Sequence, residues 1–371
     1  RSVILSGLHN HTTGQYGHQH GYNHFVSFPD IKSLPILLAD AGYRTTCAGK
    51  FHVAPEQVYH FQQYLKGSSP TDMAEACKSF VTADDNQPFF LYFCTTEPHR
   101  PFVREGSDPI NPADVIVPHY LPDIPECREE LAKYYASVQR ADSGLGRLIE
   151  ILKETGRWND TLIIYISDNG IAFPAAKTTL YEPGIRLPCV VRNPFAMKKN
   201  IVTDAMVTWA DITPTILDFA GVLTENPSFH GRSFLSILEH EHPSGWDEIY
   251  TSHTFHEITM YYPMRLVRTR RYKLIWNIAH KLDYPFASDL YDSKTWQAIL
   301  KRGDKLYGKR TIEAYIHRPK FELYDLKNDP HEINNLADDP KHANVLEELK
   351  QKLLEFQKRT KDPWILKWKY E

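Results

Sequence analysis

The sequence predicts an α/β protein: a large, mostly parallel sheet sandwiched by helices, followed by a smaller C-terminal α+β domain containing an antiparallel sheet. Three observations carry this expectation. Helical and strand-like stretches alternate through the first part of the chain. Its strand-like stretches are apolar on both faces, as in a sheet covered by helices on each side. After the segment Ile216 to Gly221 the alternation gives way to two-residue periodicity and one long amphipathic helix.

The elements follow in order. Ser33 to Ala41 reads as a helix stopped by Gly42, and Tyr43 to Ala48 as the strand after it. A helical stretch around Met73 to Val81 precedes the strand Pro88 to Cys94. A long helix from about Glu126 to Thr155 precedes the strand Thr161 to Ile166. Beyond the change of pattern, Met264 to Trp276 and Phe321 to Leu326 alternate like half-buried strands. In the last helix Val345, Leu346, Leu349, Leu353 and Phe356 share a face. The division expected is an α/β domain over 1–245 and an α+β domain over 246–371.

Composition sets the limits. At about 150 residues per domain, 371 residues make two domains or one large one. The chain is 42% hydrophobic and 24% charged with a mean hydropathy of -0.45, enough for an ordinary core. Its 43 Lys and Arg against 46 Asp and Glu leave a net charge of -3, so no global field draws it to nucleic acid or to an anionic membrane. Apolar runs such as Thr161 to Ile166 are far shorter than the roughly 20 residues that span a bilayer. The five cysteines have no metal-binding spacing, and an odd number cannot pair completely. Asn10 and Asn159 open glycosylation tripeptides, relevant if the protein is secreted by a eukaryote.

In open α/β sheets ligands bind at the carboxyl ends of the strands, so the residues following each strand bear the chemistry. The first strand runs into Gly49-Lys50-Phe51-His52, an ammonium and an imidazole two residues apart. The second runs into Glu97-Pro98-His99-Arg100-Pro101, a histidine between two prolines. The third ends in Ser167-Asp168-Asn169-Gly170, where a carboxylate beside an amide oxygen gives two hard ligands suited to calcium or magnesium. Lys177 and Tyr181-Glu182-Pro183-Gly184-Ile185-Arg186 add cations downstream. Taken singly, each group also reads as a surface pair, a structural loop histidine or an Asx turn. Together they describe a site for a tetrahedral oxyanion, where stabilising charge is the main task.

These segments resemble those of the type I sulfatases of the alkaline phosphatase superfamily, in that family's order. Glu322 to Leu326, Asp329-Pro330 and Asn335-Leu336-Ala337 look like its closing signature. Within the family the likeness is nearest to members that remove the N-sulfate of glucosamine in heparan-type chains. It rests on Tyr16-Gly17, Asn23-His24-Phe25, Ser33-Leu34-Pro35, Ser167 to Pro174, His256-Glu257, Tyr262 to Arg265 and Asp362-Pro363-Trp364. Lys177 stands where the related chain carries arginine, and that chain lacks the Glu182 and Arg186 pair.

The resemblance implies an alkaline phosphatase-like fold and a sulfatase acting on a sulfated saccharide. It also implies one divalent metal, Ca2+, on Asp168 and Asn169. Lys50 and Lys177 would neutralise sulfuryl oxygens, Arg1 and His52 would hold the nucleophile, and His99 would protonate the leaving amine. His256, Glu257 and Arg186 would contact the sugar. The family's nucleophile is a formylglycine made from the first residue of a CxPSR-type motif. Arg1 to Gly7 matches that motif's arginine and tail, so formylglycine is expected upstream of residue 1, with the family's first strand and its metal-binding aspartates. Neither nucleic acid nor membrane is an expected partner, and a homodimer is left open. The expected compartment is periplasmic or secreted in a bacterium, lysosomal in an animal, with any signal peptide outside the sequence. The rival readings are an O-sulfatase, a phosphoryl or phosphonate hydrolase on the same scaffold, or a sugar-binding protein without catalysis.

Overall fold

The computed structural model describes residues 1–83, 86–102, 105–224 and 228–370. In the first part of the chain the helices are α1 (Ser2–Ser6), α2 (Asn10–Thr13), α3 (Leu34–Asp40), α4 (Pro70–Thr82), α5 (Pro125–Glu154), α6 (Glu182–Ile185) and α7 (Ile212–Phe219). Its strands are β1 (Arg44–Gly49), β2 (Gln63–Leu65), β3 (Phe89–Cys94), β4 (Ile163–Ile166) and β5 (Cys189–Arg192). The second part holds β6 (Glu248–His253), β7 (Met264–Thr269), β8 (Tyr272–Asn277), α8 (Ser288–Tyr291), α9 (Lys294–Arg302), β9 (Leu306–Tyr307), β10 (Arg310–Thr311), α10 (Ile312–Ile316), β11 (Phe321–Asp325) and α11 (Ala343–Arg359). The alternation read from the sequence is therefore present, and most element boundaries shift by only a residue or two.

Strands β2, β1 and β3 form a parallel sheet in that order, with Cys47 opposite Tyr92 and Gly49 opposite Cys94. Because β1 and β3 end at the same level, the segments carrying Lys50 and His99 leave the sheet side by side. Gly49 has φ +89, and a Cβ there would strike the Cys94 carbonyl, so the exit from β1 suits glycine. Helices α4 and α5 cover one face. Ser69 caps α4 by accepting from Asp72 N, with Pro70 at the first helical position. Helix α5 buries Leu148, Ile151 and Leu152 against Met73, Cys77 and Val81 of α4. The two helices approach closely at Gly144, where a Cβ would lie 2.5 Å from Pro70 Cβ.

The third sequence-predicted strand lies apart from this sheet. β4 pairs antiparallel with β5, Ile166 opposite Cys189, and among the described residues no strand joins β3 to β4. The space between them is an apolar cleft lined by Phe89, Leu91, Phe93, Leu162 and Ile164. Strands β3 and β4 are accordingly only half-buried, although their sequences are almost wholly apolar.

In the second part, β11, β8, β7 and β6 form an antiparallel sheet. Val267, Leu274, Trp276 and Leu323 on one face pack against Leu346, Leu349, Leu353 and Phe356 of α11. Met264, Leu266, Ile275 and Tyr324 on the other face join a core with Leu131, Phe173 and Tyr181. This double covering explains the continuous burial along the start of β7. It also encloses Arg265, whose Nε and Nη2 donate to the Asp362 carboxylate at 2.5 and 2.9 Å with both side chains 0% exposed. The basic stretch Lys301 to Arg310 is mostly a solvated face. The exceptions are Tyr307, buried in the core, and Arg310, whose guanidinium lies 3.9 Å over the Tyr181 ring.

Candidate active site

The cleft is one end of a continuous cavity of about 1240 Å³, whose polar end lies at the carboxyl ends of β1, β3 and β4. Arg1, Lys50, His52, His99, Asp168, Asn169, Lys177, Arg186 and His256 all line it. Glu257 does not. Its Oε1 accepts from Ser288 N at 3.0 Å and from Ser288 Oγ at 2.8 Å, so its carboxylate is held at the start of α8, beside the cavity.

Each strand delivers its group with local support. Lys50 N donates to Cys94 O at 2.9 Å, continuing the β1–β3 ladder one residue past the strand. His52 adopts φ 48, a left-handed conformation that a histidine holds only when its surroundings fix it. Gln15 Nε2 donates to the His52 carbonyl at 3.4 Å. Behind His99, Arg100 donates to Glu130 Oε1 at 2.6 Å and to the Ala172 carbonyl at 2.8 Å. Its guanidinium also stacks over Phe102 and Phe173. At the end of β4, Asn169 Nδ2 donates to the Gly170 carbonyl at 2.7 Å, leaving its amide oxygen for another partner. The Asp168 Oδ2 atom is 3.6 Å from Arg1 Nη2.

Lys177 is buried and its Nζ is 2.8 Å from Asp289 Oδ2, a carboxylate that the sequence reading missed. Asp289 Oδ2 is also 4.0 Å from His99 Nε2. Two further histidines were missed. His18 packs its ring 3.8 Å from that of His256 and 4.8 Å from that of His20, and the His20 ring lies 4.1 Å from that of His52. The His18-Gln19-His20 cluster is visible in the sequence, but it follows no strand. Arg186 is exposed at the rim, while Glu182, also on the cavity wall, pairs with Arg268 at 3.0 Å and Lys273 at 2.7 Å.

The electrostatics are those of an anion site. Burial, with Arg1 close by, lowers the Lys50 ammonium from its usual value. Burial and neighbouring charges push His18 and His52 down to about 3, and lower His20, His99 and His256 as well. With no anion bound the imidazoles therefore favour the uncharged form, and the positive charge comes from Arg1, Lys50 and Lys177. A tetrahedral dianion or monoanion among them would be held by those cations and would raise the histidines' proton affinity. Burial also pushes the Cys94 thiol up, which keeps this cavity-lining cysteine protonated and a poor nucleophile.

Comparison with known proteins agrees with this geometry. The Sulfatase family model matches residues 1–222, and the model described as N-sulphoglucosamine sulphohydrolase, C-terminal, matches 175–301 and 301–359. The chain is 37% identical to the N-sulphoglucosamine sulphohydrolase of Homo sapiens, covering 98% of this chain and 81% of that protein. It is 26% identical to an ulvan-active sulfatase of Formosa agariphila, over 94% of this chain and 69% of that one. Among solved structures, one bound to its substrate D-glucosamine-2-N,6-O-disulfate superposes with a TM-score of 0.70 at 21% identity, covering 98% of this chain and 88% of that one. A phosphonate monoester hydrolase from Silicibacter pomeroyi gives 0.70 at 16% identity, with 98% and 86% covered. With a family model over more than half its length and a relative of this identity over nearly all of it, the chain belongs to the sulfatase family and is a sulfohydrolase.

Proposed function

We propose that this enzyme removes the N-sulfate from glucosamine at the end of heparan-type saccharides. The carrying observation is the convergence of Arg1, Lys50 and Lys177 with His52 and His99 on one cavity from segments far apart in sequence. The names of the similar human protein and of the sulfated sugar in the superposed structure support the choice of substrate.

In this reading Lys50 and Lys177 bind the sulfuryl oxygens, and Arg1 and His52 hold the attacking oxygen in line. His99 delivers a proton to the departing nitrogen, which would otherwise leave as a very poor amide anion. His256, with Arg186 at the rim and Glu257 beside it, contacts the sugar. Asp168 and the free amide oxygen of Asn169 form a hard-oxygen pair that fits part of a Ca2+ shell. A bound Ca2+ supplies charge neutralisation at the sulfuryl group. The family's formylglycine supplies an oxygen nucleophile, a group that no described residue here provides. The division into 1–245 and 246–371 puts the rim residues His256 and Glu257 on the second unit. Among the described residues no helix is long and apolar enough to cross a membrane, and the compartment proposed remains periplasmic or secreted in a bacterium, lysosomal in an animal.

The test is hydrolysis of matched glucosamine derivatives carrying N-sulfate, 6-O-sulfate or 6-phosphate by the native protein. N-sulfate cleavage well ahead of the other two is the expected result. Faster release from either ester replaces this reading with that of an O-sulfatase or a phosphoryl hydrolase.

A further inference from the structure

Asp289 stands behind the cavity wall on the four-residue helix α8, far along the chain from the strand-end motifs, and meets the site through cavity-lining Lys177 and His99. Its Oδ2 accepts from Lys177 Nζ at 2.8 Å and lies 4.0 Å from His99 Nε2, within ion-pairing range but beyond a hydrogen bond, and its Oδ1 is buried without a hydrogen-bond partner. Ligand atoms of His256, Glu257 and Asp289 lie within 4.8 Å of one another, so the carboxylate stands beside the residues assigned to the sugar. Glu257, by accepting twice from Ser288, fixes the turn that presents Asp289.

The orientation of His99 gives this neighbour a chemical meaning. His99 Nδ1 is 2.6 Å from the Arg100 carbonyl, which can only accept, so Nδ1 carries hydrogen and Nε2 is the reactive nitrogen. Nε2 is the atom that faces Asp289. The other groups acting on His99 are Lys50 from the end of β1, Lys177 from the segment after β4, and the neutral rings of His20, His52 and His256. On its own segment Glu97 is tied to Arg140 at 3.0 Å and Arg100 to Glu130 at 2.6 Å. Both lysines oppose an imidazolium at His99, and Asp289 favours it.

We propose that Asp289 fits this site to a nitrogen leaving group: its carboxylate keeps a proton on His99 Nε2 for the departing nitrogen and then pairs with the ammonium of the product, so the residue sets a preference for sulfamates over sulfate esters. The inference rests on the sulfamate reading of the site. In the step, the S–N bond breaks with its electron pair passing to nitrogen, and nitrogen takes the proton from His99 Nε2. Sulfur is taken by an oxygen nucleophile, the hydroxyl of a hydrated aldehyde or of water. The nucleophile's own proton passes to solvent and balances the one His99 gave up, and the freed amine takes a second proton from water to become the ammonium. Nothing is oxidised or reduced. Asp289 is thus a positioning and specificity residue that acts through His99, and the proton it retains is one that a phenolate leaving group does not need.

The experiment compares the native enzyme with Asp289→Asn and Asp289→Glu on N-sulfoglucosamine and on an activated aryl sulfate. Asp289→Asn should lose about 10- to 100-fold more kcat/KM on the sulfamate than on the aryl sulfate, a fraction of the effect of removing a general acid itself. Its alkaline limb of kcat/KM on the sulfamate should move to lower pH by about 0.5 to 1 unit, and Asp289→Glu should restore part of both. Equal losses on the two substrates would reduce Asp289 to an anchor for Lys177 and overturn the proposal, as would an unmoved limb. A second Ca2+ or Mn2+ bound by the native protein and lost in Asp289→Asn would also overturn it, because that ion would displace Lys177. A measurement independent of variant folding is inhibition by product: glucosamine should inhibit the native enzyme more strongly than N-acetylglucosamine, and equal inhibition counts against an ammonium site. A native enzyme that cleaves the aryl sulfate but leaves N-sulfoglucosamine intact would defeat the sulfamate reading and this inference with it. Sulfamate cleavage with no substrate bias in the variant defeats the inference alone.

Discussion

Arg1 Nη2 stands 3.6 Å from Asp168 Oδ2, joining the start of α1 to the segment after β4 on the wall of the cavity. The two residues belong to different tasks in the proposed mechanism, one holding the attacking oxygen and the other holding a cation. Their contact means that a disturbance at either is felt at the other.

The first prediction concerns that cation. Calcium at 100 times its Kd should stabilise the native enzyme by about 2.7 kcal/mol, and a chelator should remove the gain. Asp168→Ala should abolish the calcium-dependent rise in melting temperature. A variant that keeps the full rise would place the ion elsewhere.

The second concerns His99. Replacing it with Ala should slow sulfamate cleavage by about 10²- to 10⁴-fold, and an activated aryl sulfate, whose phenolate departs unaided, much less. Similar losses on both substrates in steady-state assays would make His99 a sulfate ligand instead.

The third concerns the buried pair of Arg265 and Asp362. The guanidinium holds the Asp362 carboxyl down at about 2 despite burial. Because this value lies below that of an unfolded aspartate, the pair's contribution is present above about pH 4 and is lost as pH falls toward 2. Asp362→Ala leaves Arg265 buried and unpaired, and should cost about 3–5 kcal/mol in urea unfolding at pH 7. The difference from the native protein should shrink steadily on acidification.

The fourth contrasts two glycines of α5. At Gly144 a helix-propensity gain of about 1 kcal/mol competes with overpacking of about 1–3 kcal/mol against Pro70, so Gly144→Ala should be neutral to destabilising. At Gly146 an added Cβ meets nothing within 4 Å, and Gly146→Ala should stabilise by up to about 1 kcal/mol. Chemical denaturation of both variants decides whether the close approach of α4 and α5 is as tight as the geometry shows.

The sequence made the strand-end residues legible for a physical reason. Lys50, His52, His99, Asp168 and Asn169 each follow a stretch that reads as a strand, and the parallel neighbours β1 and β3 expose their ends together. Asp289 follows no such run. It lies on one turn of helix, and only the packing of the second part of the chain against the first brings it to Lys177. Of the motif that carries Arg186, Glu182 is held inside the fold by Arg268 and Lys273. The pairing of β4 with β5 was equally hidden, since four apolar residues carry no sign of direction.

The cleft between β3 and β4 also bears on how the protein can be handled. Each of these strands shows a line of backbone donors and acceptors that no described strand satisfies, bordered by phenylalanine, leucine and isoleucine. Such an edge binds extended peptides with little regard for sequence, because main-chain groups do most of the recognition. Produced as this stretch alone, the polypeptide should therefore scatter more light as its concentration rises, and a short, soluble, apolar peptide should suppress that scattering.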